Sequence, residues 1–252
     1  MDLEIEGAKI FYTFRFDFPV LGKFSITETL VMSWIVMALI TLLCIWLTHG
    51  LKVENISKRQ AFAEMIVETA DKFVIGNMGE KFAGLIPFVA ALFATSIVSN
   101  LISLFGVWSP TADLNTEVAW AIVVFIMITA QKIKASGVGG YLKGFTTPVF
   151  VMTPLNILSE FATPISMACR HFGNILSGVV IGTLIYSSLG LASSKLLGLI
   201  PGAVGDFLSN LPILAVGLPA ITSVYFDWFS GAMQAYIFCM LTTRYIANAS
   251  EG

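Results

Sequence analysis

Long stretches without a charged side chain are the feature that most limits how this chain can fold. One of them runs from Phe82 to Trp108 and covers 27 residues. A helix of about 20 apolar residues is enough to cross the roughly 30 Å hydrocarbon core of a bilayer. Charged residues make up only 12% of the chain, whereas a soluble domain has about 25%. The sequence therefore predicts an all-α integral membrane protein.

The hydropathy pattern divides the chain into an N-terminal segment and one membrane domain. We expect residues 1–28 to be an irregular segment outside the membrane, with aromatic rings suited to the headgroup zone. The membrane domain, residues 29–252, is predicted to contain five spanning helices and one interfacial amphipathic helix. The predicted spans are 29–48, 82–108, 118–135, 154–188 and 212–246, and the interfacial helix is 58–75.

Local signals support the interfacial helix and a break further on. Ser57 and Gln60 have the spacing of a capping box, which marks a helix start. Apolar side chains then recur at helical spacing opposite acidic ones, as in a helix that lies on a membrane surface. The run Gly137-Val138-Gly139-Gly140 predicts a flexible break after the third span.

The last two predicted helices are too long to stand upright in a bilayer. Residues 154–188 and 212–246 each cover 35 residues, which is roughly 52 Å of helix against a core of about 30 Å. Either each helix is kinked into two pieces, or both are steeply tilted. Because both are similarly overlong, we favour a tilted hairpin in which they pack antiparallel.

Basic residues set the expected orientation. The segments 49–60 and 131–144 carry six Lys or Arg residues, whereas 109–117 carries none and contains Asp113 and Glu117. Cytoplasmic loops of membrane proteins are enriched in Lys and Arg. This places the N-terminus outside and the C-terminus in the cytoplasm.

Composition and motifs exclude several classes of function. The 14 Lys and Arg are scattered and the net charge is −2, so there is no basic patch for nucleic acid. Cys44, Cys169 and Cys239 are widely separated, which predicts buried structural thiols. No nucleotide loop, catalytic triad or metal motif occurs, so we expect no cofactor and no metal. The predicted work is translocation.

The charges inside the long helices are the candidate functional groups. Arg170 lies in the middle of a predicted span, where a guanidinium costs about 2.5 to 3.5 kcal/mol on insertion scales. Ser166 and Asn174, each four residues away, share its helix face. The alternative to a functional role is an interhelical ion pair of Arg170 with Glu160 or Asp227. His171 either titrates or, as we favour, is a hydrogen-bonded packing residue.

On the last helix, Asp227 and Gln234 are predicted to share a face with Ser230. A carboxylic acid at that depth is what a proton or cation relay requires, because it binds and releases an ion within the membrane. The alternative is that Arg170 merely neutralises the Asp227 carboxylate across the hairpin.

Three motifs stand out between about residue 82 and the C-terminus. The first is Arg170-His171-Phe172-Gly173-Asn174-Ile175-Leu176-Ser177-Gly178. The second is Pro110-Thr111-Ala112-Asp113-Leu114-Asn115, and the third is Gln234-Ala235-Tyr236-Ile237-Phe238 followed by Leu241-Thr242. In type and order they resemble the motifs of a known family, subunit a of the rotary F-type ATP synthase, and the first resembles its arginine signature.

The resemblance implies a non-catalytic stator subunit of a bacterial cell membrane, pressed against a ring of c subunits. Peripheral-stalk b subunits, the remaining ATP synthase subunits and lipid are its other implied partners. Arg170 would face the ring carboxylates and separate two half-channels, with Gln234 close by. Val179 stands where many members carry Glu, and Asp227 stands where members carry His or Glu. The outer path would therefore rely on Asp227, with Asp113 and Asn115.

Two other functions fit parts of the pattern. A secondary transporter would bind a small anion at Arg170, and would be expected to have a substrate pocket with broken helices. A structural scaffold would have little use for Arg170 and Asp227 within the membrane. The ATP synthase interpretation accounts for all three motifs.

Overall fold

The computed structural model describes residues 8–15, 23–147, 149–199, 221–222 and 224–250. Helices dominate these ranges, which confirms the prediction of an all-α membrane protein. The helices with defined bounds are α1 (Glu28–Thr48), α2 (Lys58–Met78), α3 (Ile86–Ile102), α4 (Leu114–Gly144), α5 (Thr153–Leu197) and α6 (Gly231–Asn248).

Four helical segments in the described part of the chain are long and apolar enough to cross a membrane. They are Glu28–Thr48, Glu80–Phe105, Leu114–Gly144 and Phe150–Leu197. The fifth predicted span, 212–246, lies partly outside the described residues. Its described part contains a π-helical turn, Val224–Ser230, that leads directly into α6.

The N-terminal segment contains a β-hairpin, so the prediction of an irregular segment was wrong there. Strands β1 (Ile10–Arg15) and β2 (Lys23–Thr27) pair antiparallel, with Phe14 opposite Phe24. The near-alternate aromatic residues have the period of two that a strand requires. The amide of Glu28 donates to the carbonyl of Lys9 over 2.8 Å, which fixes the hairpin to the start of α1.

Helix α2 begins at the predicted cap. The Ser57 hydroxyl accepts a hydrogen bond from the amide of Gln60 over 3.2 Å. The apolar side chains of the first half of the helix are exposed, among them Phe62 and Met65. On the polar side Lys72 lies 2.7 Å from Glu68, and this hydrogen bond and positive charge hold the pKa of the Glu68 carboxyl below its ordinary value.

Helix α4 differs from the prediction at both ends. It begins at Leu114, so Glu117 lies in its first turn and is fully buried, whereas the sequence pattern placed Glu117 in a loop. At the other end the chain stays helical beyond residue 135, and the helix is interrupted at the predicted position, because Gly137 has non-helical backbone angles and produces a kink. Gly137 alone has a left-handed φ of 73° there, and glycine adopts this conformation without steric cost.

The core lies where α2, α3, α4, α5 and α6 meet. Its buried apolar side chains include Val74, Val89, Val124, Met167 and Phe238. Cys239 belongs to this core, but Cys44 and Cys169 are exposed, so the prediction of three buried thiols was wrong for two of them. Those two side chains lie on outward faces of α1 and α5.

Candidate functional site

The middle of α5 presents two different faces. Met167, Ala168 and His171 are buried against the core, whereas Ser166 and Arg170 are exposed. The 3.6-residue period of the helix requires this division, because residues four apart share a face. The guanidinium of Arg170 therefore points away from the core of this chain.

Arg170 makes no ion pair within the described residues. Glu160, one of its two predicted partners, instead binds Lys132, with Lys132 Nζ 2.6 Å from Glu160 Oε2. The structural alternative for Arg170 through Glu160 is therefore wrong. The second predicted partner, Asp227, has a side chain outside the described part of the structure, although its backbone lies in the π-helical turn.

The last helix packs antiparallel to α5, in a regular register. Gln234 lines one narrow cleft with Arg170 and His171. Four residues further along α5, Asn174 Oδ1 accepts a hydrogen bond from Ser230 Oγ over 2.9 Å. The described residues thus bring Arg170, Asn174 and Gln234 together.

A close approach of the two helices continues one turn beyond Asn174. A Cβ atom added to Gly178 would lie 3.0 Å from Cβ of Phe226. This distance is tighter than nine in ten real Cβ contacts, so Phe226 would have to shift by a few tenths of an ångström to admit a side chain. The glycine therefore allows the two helices to pack closely beside the π-helical turn.

Two cavities lie on opposite sides of Arg170 along α5. The first, the Asn100 cavity, has a volume of about 460 Å³. Its wall includes Val179 and several polar side chains, among them Asn100, Ser103, Ser109, Thr183 and Thr222. It opens on the side of the molecule where α4 begins.

The second, the Lys132 cavity, has a volume of about 470 Å³ and lies on the side where α5 begins. Its wall includes Lys132, Glu160, Thr163, Tyr141 and Asn248. Tyr141 Oη donates to Glu160 Oε1 over 3.3 Å, so the carboxylate at the centre of this wall has two donors. The C-terminal end of α6 lies nearby, and Ser250 accepts a hydrogen bond from Lys81 over 2.8 Å.

Asp113 and Asn115 are brought together at the start of α4, but not with Arg170 in any described contact. Asp113 is the N-cap residue, and its Oδ1 accepts hydrogen bonds from the amide and side-chain nitrogens of Asn115, both 3.0 Å away. An N-cap of this kind stabilises a helix by about 1 kcal/mol. Their observed contacts are those of a helix cap.

A buried pair that the sequence analysis did not assemble lies behind Arg170. Nδ1 of His171 is 3.1 Å from Oε2 of Glu117, and both side chains are at most 1% exposed. The Nε2 atom of His171 lies 3.5 Å from the hydroxyl of Ser96 on α3. A glutamate in the first turn of an apolar span was the available signal, because a carboxylic acid is rare within a membrane segment.

Comparison with known proteins gives this arrangement a family. A family model described as ATP synthase A chain matches residues 30–247. The chain belongs to this family, subunit a of the F-type ATP synthase. It is 31% identical to "ATP synthase subunit a, sodium ion specific" of Propionigenium modestum, over 97% of this chain and 86% of that protein.

Other members are equally similar. The identity is 34% with "ATP synthase subunit a 1" of Prosthecochloris aestuarii, over 91% of this chain and 92% of the relative. It is 30% with "ATP synthase subunit a" of Desulforamulus reducens, over 98% and 88%. As an F-type ATP synthase subunit a, the chain is a non-catalytic, multi-pass component of the bacterial membrane sector that takes part in ion transport and assembles with other ATP synthase subunits.

Proposed function

We propose that this chain is the stator that forms both half-channels of the synthase, with Arg170 acting on the carboxylates of the rotor. The observation that carries the proposal is the position of Arg170, which is exposed and unpaired among the described residues, between two cavities that have polar side chains in their walls. The Asn100 cavity would be the outer half-channel and the Lys132 cavity the inner one.

The exposure of Arg170 favours a c-ring as the neighbour of this face. A guanidinium inside a membrane is stable only with a counter-charge or water, and a ring of small subunits with a carboxylate on each would supply the counter-charge in turn. At about 4 Å, two unit charges attract by about 4 kcal/mol at an effective dielectric of 20. That is enough to compete with a proton or cation bound to the ring carboxylate.

Gln234 and Asn174 would position the two helices around this exchange, with Ser166 on the exposed face of α5. The amide nitrogen of Asn174 is buried and has no acceptor among the described residues. Asp227 would belong to the outer path, with Asp113 and Asn115 at its margin. Peripheral-stalk b subunits would hold the stator against the ring.

The same arrangement agrees with the predicted orientation. The end of α6, the Lys132 cavity and the basic residues of 131–144 lie at one side of the molecule. The excess of Lys and Arg in cytoplasmic loops would place this side in the cytoplasm and the N-terminus outside.

Substitution of Arg170 tests the proposal in the whole complex. Purified complexes are reconstituted into vesicles, and ATP-driven proton and sodium uptake are measured, with assembly checked by copurification of the other subunits. We expect Arg170→Ala to abolish coupled pumping and Arg170→Lys to lose most of it, since an ammonium lacks the planar fork and loses its proton when desolvated. Full pumping by an assembled Arg170→Ala complex would contradict the stator role.

A further inference from the structure

We infer that Glu117 and His171 form a buried relay that holds one proton between the Asn100 cavity and Arg170. The inference rests on the proposed half-channels and assigns residues to one of them. Glu117 comes from α4 and His171 from α5, and they meet with Nδ1 and Oε2 only 3.1 Å apart. Glu117 is the only acidic residue within α4, and its side chain is fully buried.

The hydrogen-bond state of the pair argues against a purely structural role. Although the two atoms are close, they are not aligned as a hydrogen bond, and both oxygens of Glu117 lack a donor among the described residues. A buried polar atom without a partner costs about 1 to 3 kcal/mol, and more if it is charged. A structural ion pair would be selected for good alignment, as the Lys132–Glu160 pair is.

A proton held by the pair removes most of that cost. With a carboxylate and a neutral imidazole the pair carries one negative charge, and one added proton on either Nδ1 or Oε2 makes it neutral overall. A buried net charge is costly, and a proton shared between Nδ1 and Oε2 removes it.

Polar groups lie on both sides of the pair. Asn100 lies in the wall of the Asn100 cavity, and one helical turn away Ser96 places its hydroxyl 3.5 Å from Nε2 of His171. On the other side His171 shares a narrow cleft with Arg170 and Gln234. One proton would arrive from the cavity and the same proton would leave toward the rotor carboxylate, without change to any bond between heavier atoms.

Few groups compete with the pair for this role in the described structure. The imidazole faces Ser96 on α3, Trp120 on α4 and Phe238 on α6, none of which titrates near neutral pH. The nearest acidic residue along the chain, Asp113, is the N-cap residue of α4 and accepts hydrogen bonds from Asn115. Arg170 stays charged at every accessible pH.

The test compares charge-neutral and charge-keeping variants of Glu117 in the whole complex in vesicles, from about pH 5 to 8, where a histidine titrates. We expect Glu117→Gln to slow proton uptake about tenfold or more, the lower range for loss of a proton-transfer group, with assembly intact. Glu117→Asp should keep pumping within about threefold but shift its pH profile, because the shorter side chain lengthens the gap to His171.

The matched control is Glu68→Gln, an equal change of charge at an exposed site far from the pair. An assembled Glu117→Gln complex that pumps like the control at every pH would overturn the relay. If Glu117→Gln does not assemble, Glu117→Asp decides, and an unchanged pH profile would then overturn it. Arg170→Ala, measured in parallel, separates the stator role from the relay. If Arg170→Ala abolishes pumping and Glu117→Gln pumps normally, the relay is overturned and the stator role is kept.

Discussion

Helices α4 and α5 are joined by two acid–base pairs that differ in nearly every physical respect. The Lys132–Glu160 pair lies in a cavity wall, with side chains 34% and 13% exposed, and Tyr141 adds a further donor. The Glu117–His171 pair is sealed in the core and poorly aligned. A satisfied pair is suited to fixing two helices, whereas an unsatisfied buried pair gains from binding a proton.

The largest expected difference between the pairs is in stability. Glu117→Ala leaves a cavity beside a buried imidazole, and truncating a buried side chain of this size to alanine typically costs about 2 to 5 kcal/mol. Glu160→Ala leaves Lys132 beside a cavity, where we expect a cost nearer the 1 kcal/mol of exposed pairs. The measurement is the temperature at which each purified complex loses subunit a. Equal transition temperatures for the two variants would show that the difference in burial does not lead to a difference in stability.

A smaller difference is expected in the salt dependence of pumping. Glu160→Gln keeps an acceptor for Tyr141, and we expect pumping within about threefold of the unmodified complex because Lys132 can be solvated from the cavity. The loss of pumping in Glu160→Gln should change with ionic strength, since salt screens accessible charges with a screening length of about 10 Å at 0.1 M. The deficit of Glu117→Gln should stay constant, because a buried pair is screened much less. Uptake rates at low and high salt decide this.

The smallest effect is expected at the exposed Glu68–Lys72 pair of α2, which sharpens the contrast from the other side. Because Lys72 lowers the folded-state pKa of Glu68 below its ordinary 4.5, its contribution is present above that value. It is lost as the pH falls through the lowered pKa. Both side chains are largely exposed, so this contribution is small even where it is present, and Glu68→Gln should shift the thermal transition at neutral pH only slightly. A clear shift there would show that exposure does not rank these pairs.

The sequence predicted the helices and the proximity of Arg170 to Gln234, but it predicted neither of the two acid–base pairs. The long uncharged stretches predicted the helices, and the signature around Arg170 predicted its proximity to Gln234, which the narrow cleft now shows. Glu117 and His171 lie in different helices, and periodicity states only which residues share a face of one helix. Which faces meet depends on packing across the whole bundle. The N-terminal β-hairpin and the π-helical turn were likewise not predicted.

The π-helical turn has a consequence for how the length of this chain can vary. A π-turn contains about one residue more than an α-turn, so deletion of a single residue between Val224 and Ser230 would let it relax to ordinary helix. Gln234 would keep its place, but Thr222 would swing by about 100° around the axis, away from the wall of the Asn100 cavity. Insertions and deletions are therefore expected in the connections between helices and not in this turn. The number of residues in the turn therefore fixes how the segment before it is rotated about the helix axis relative to the segment after it.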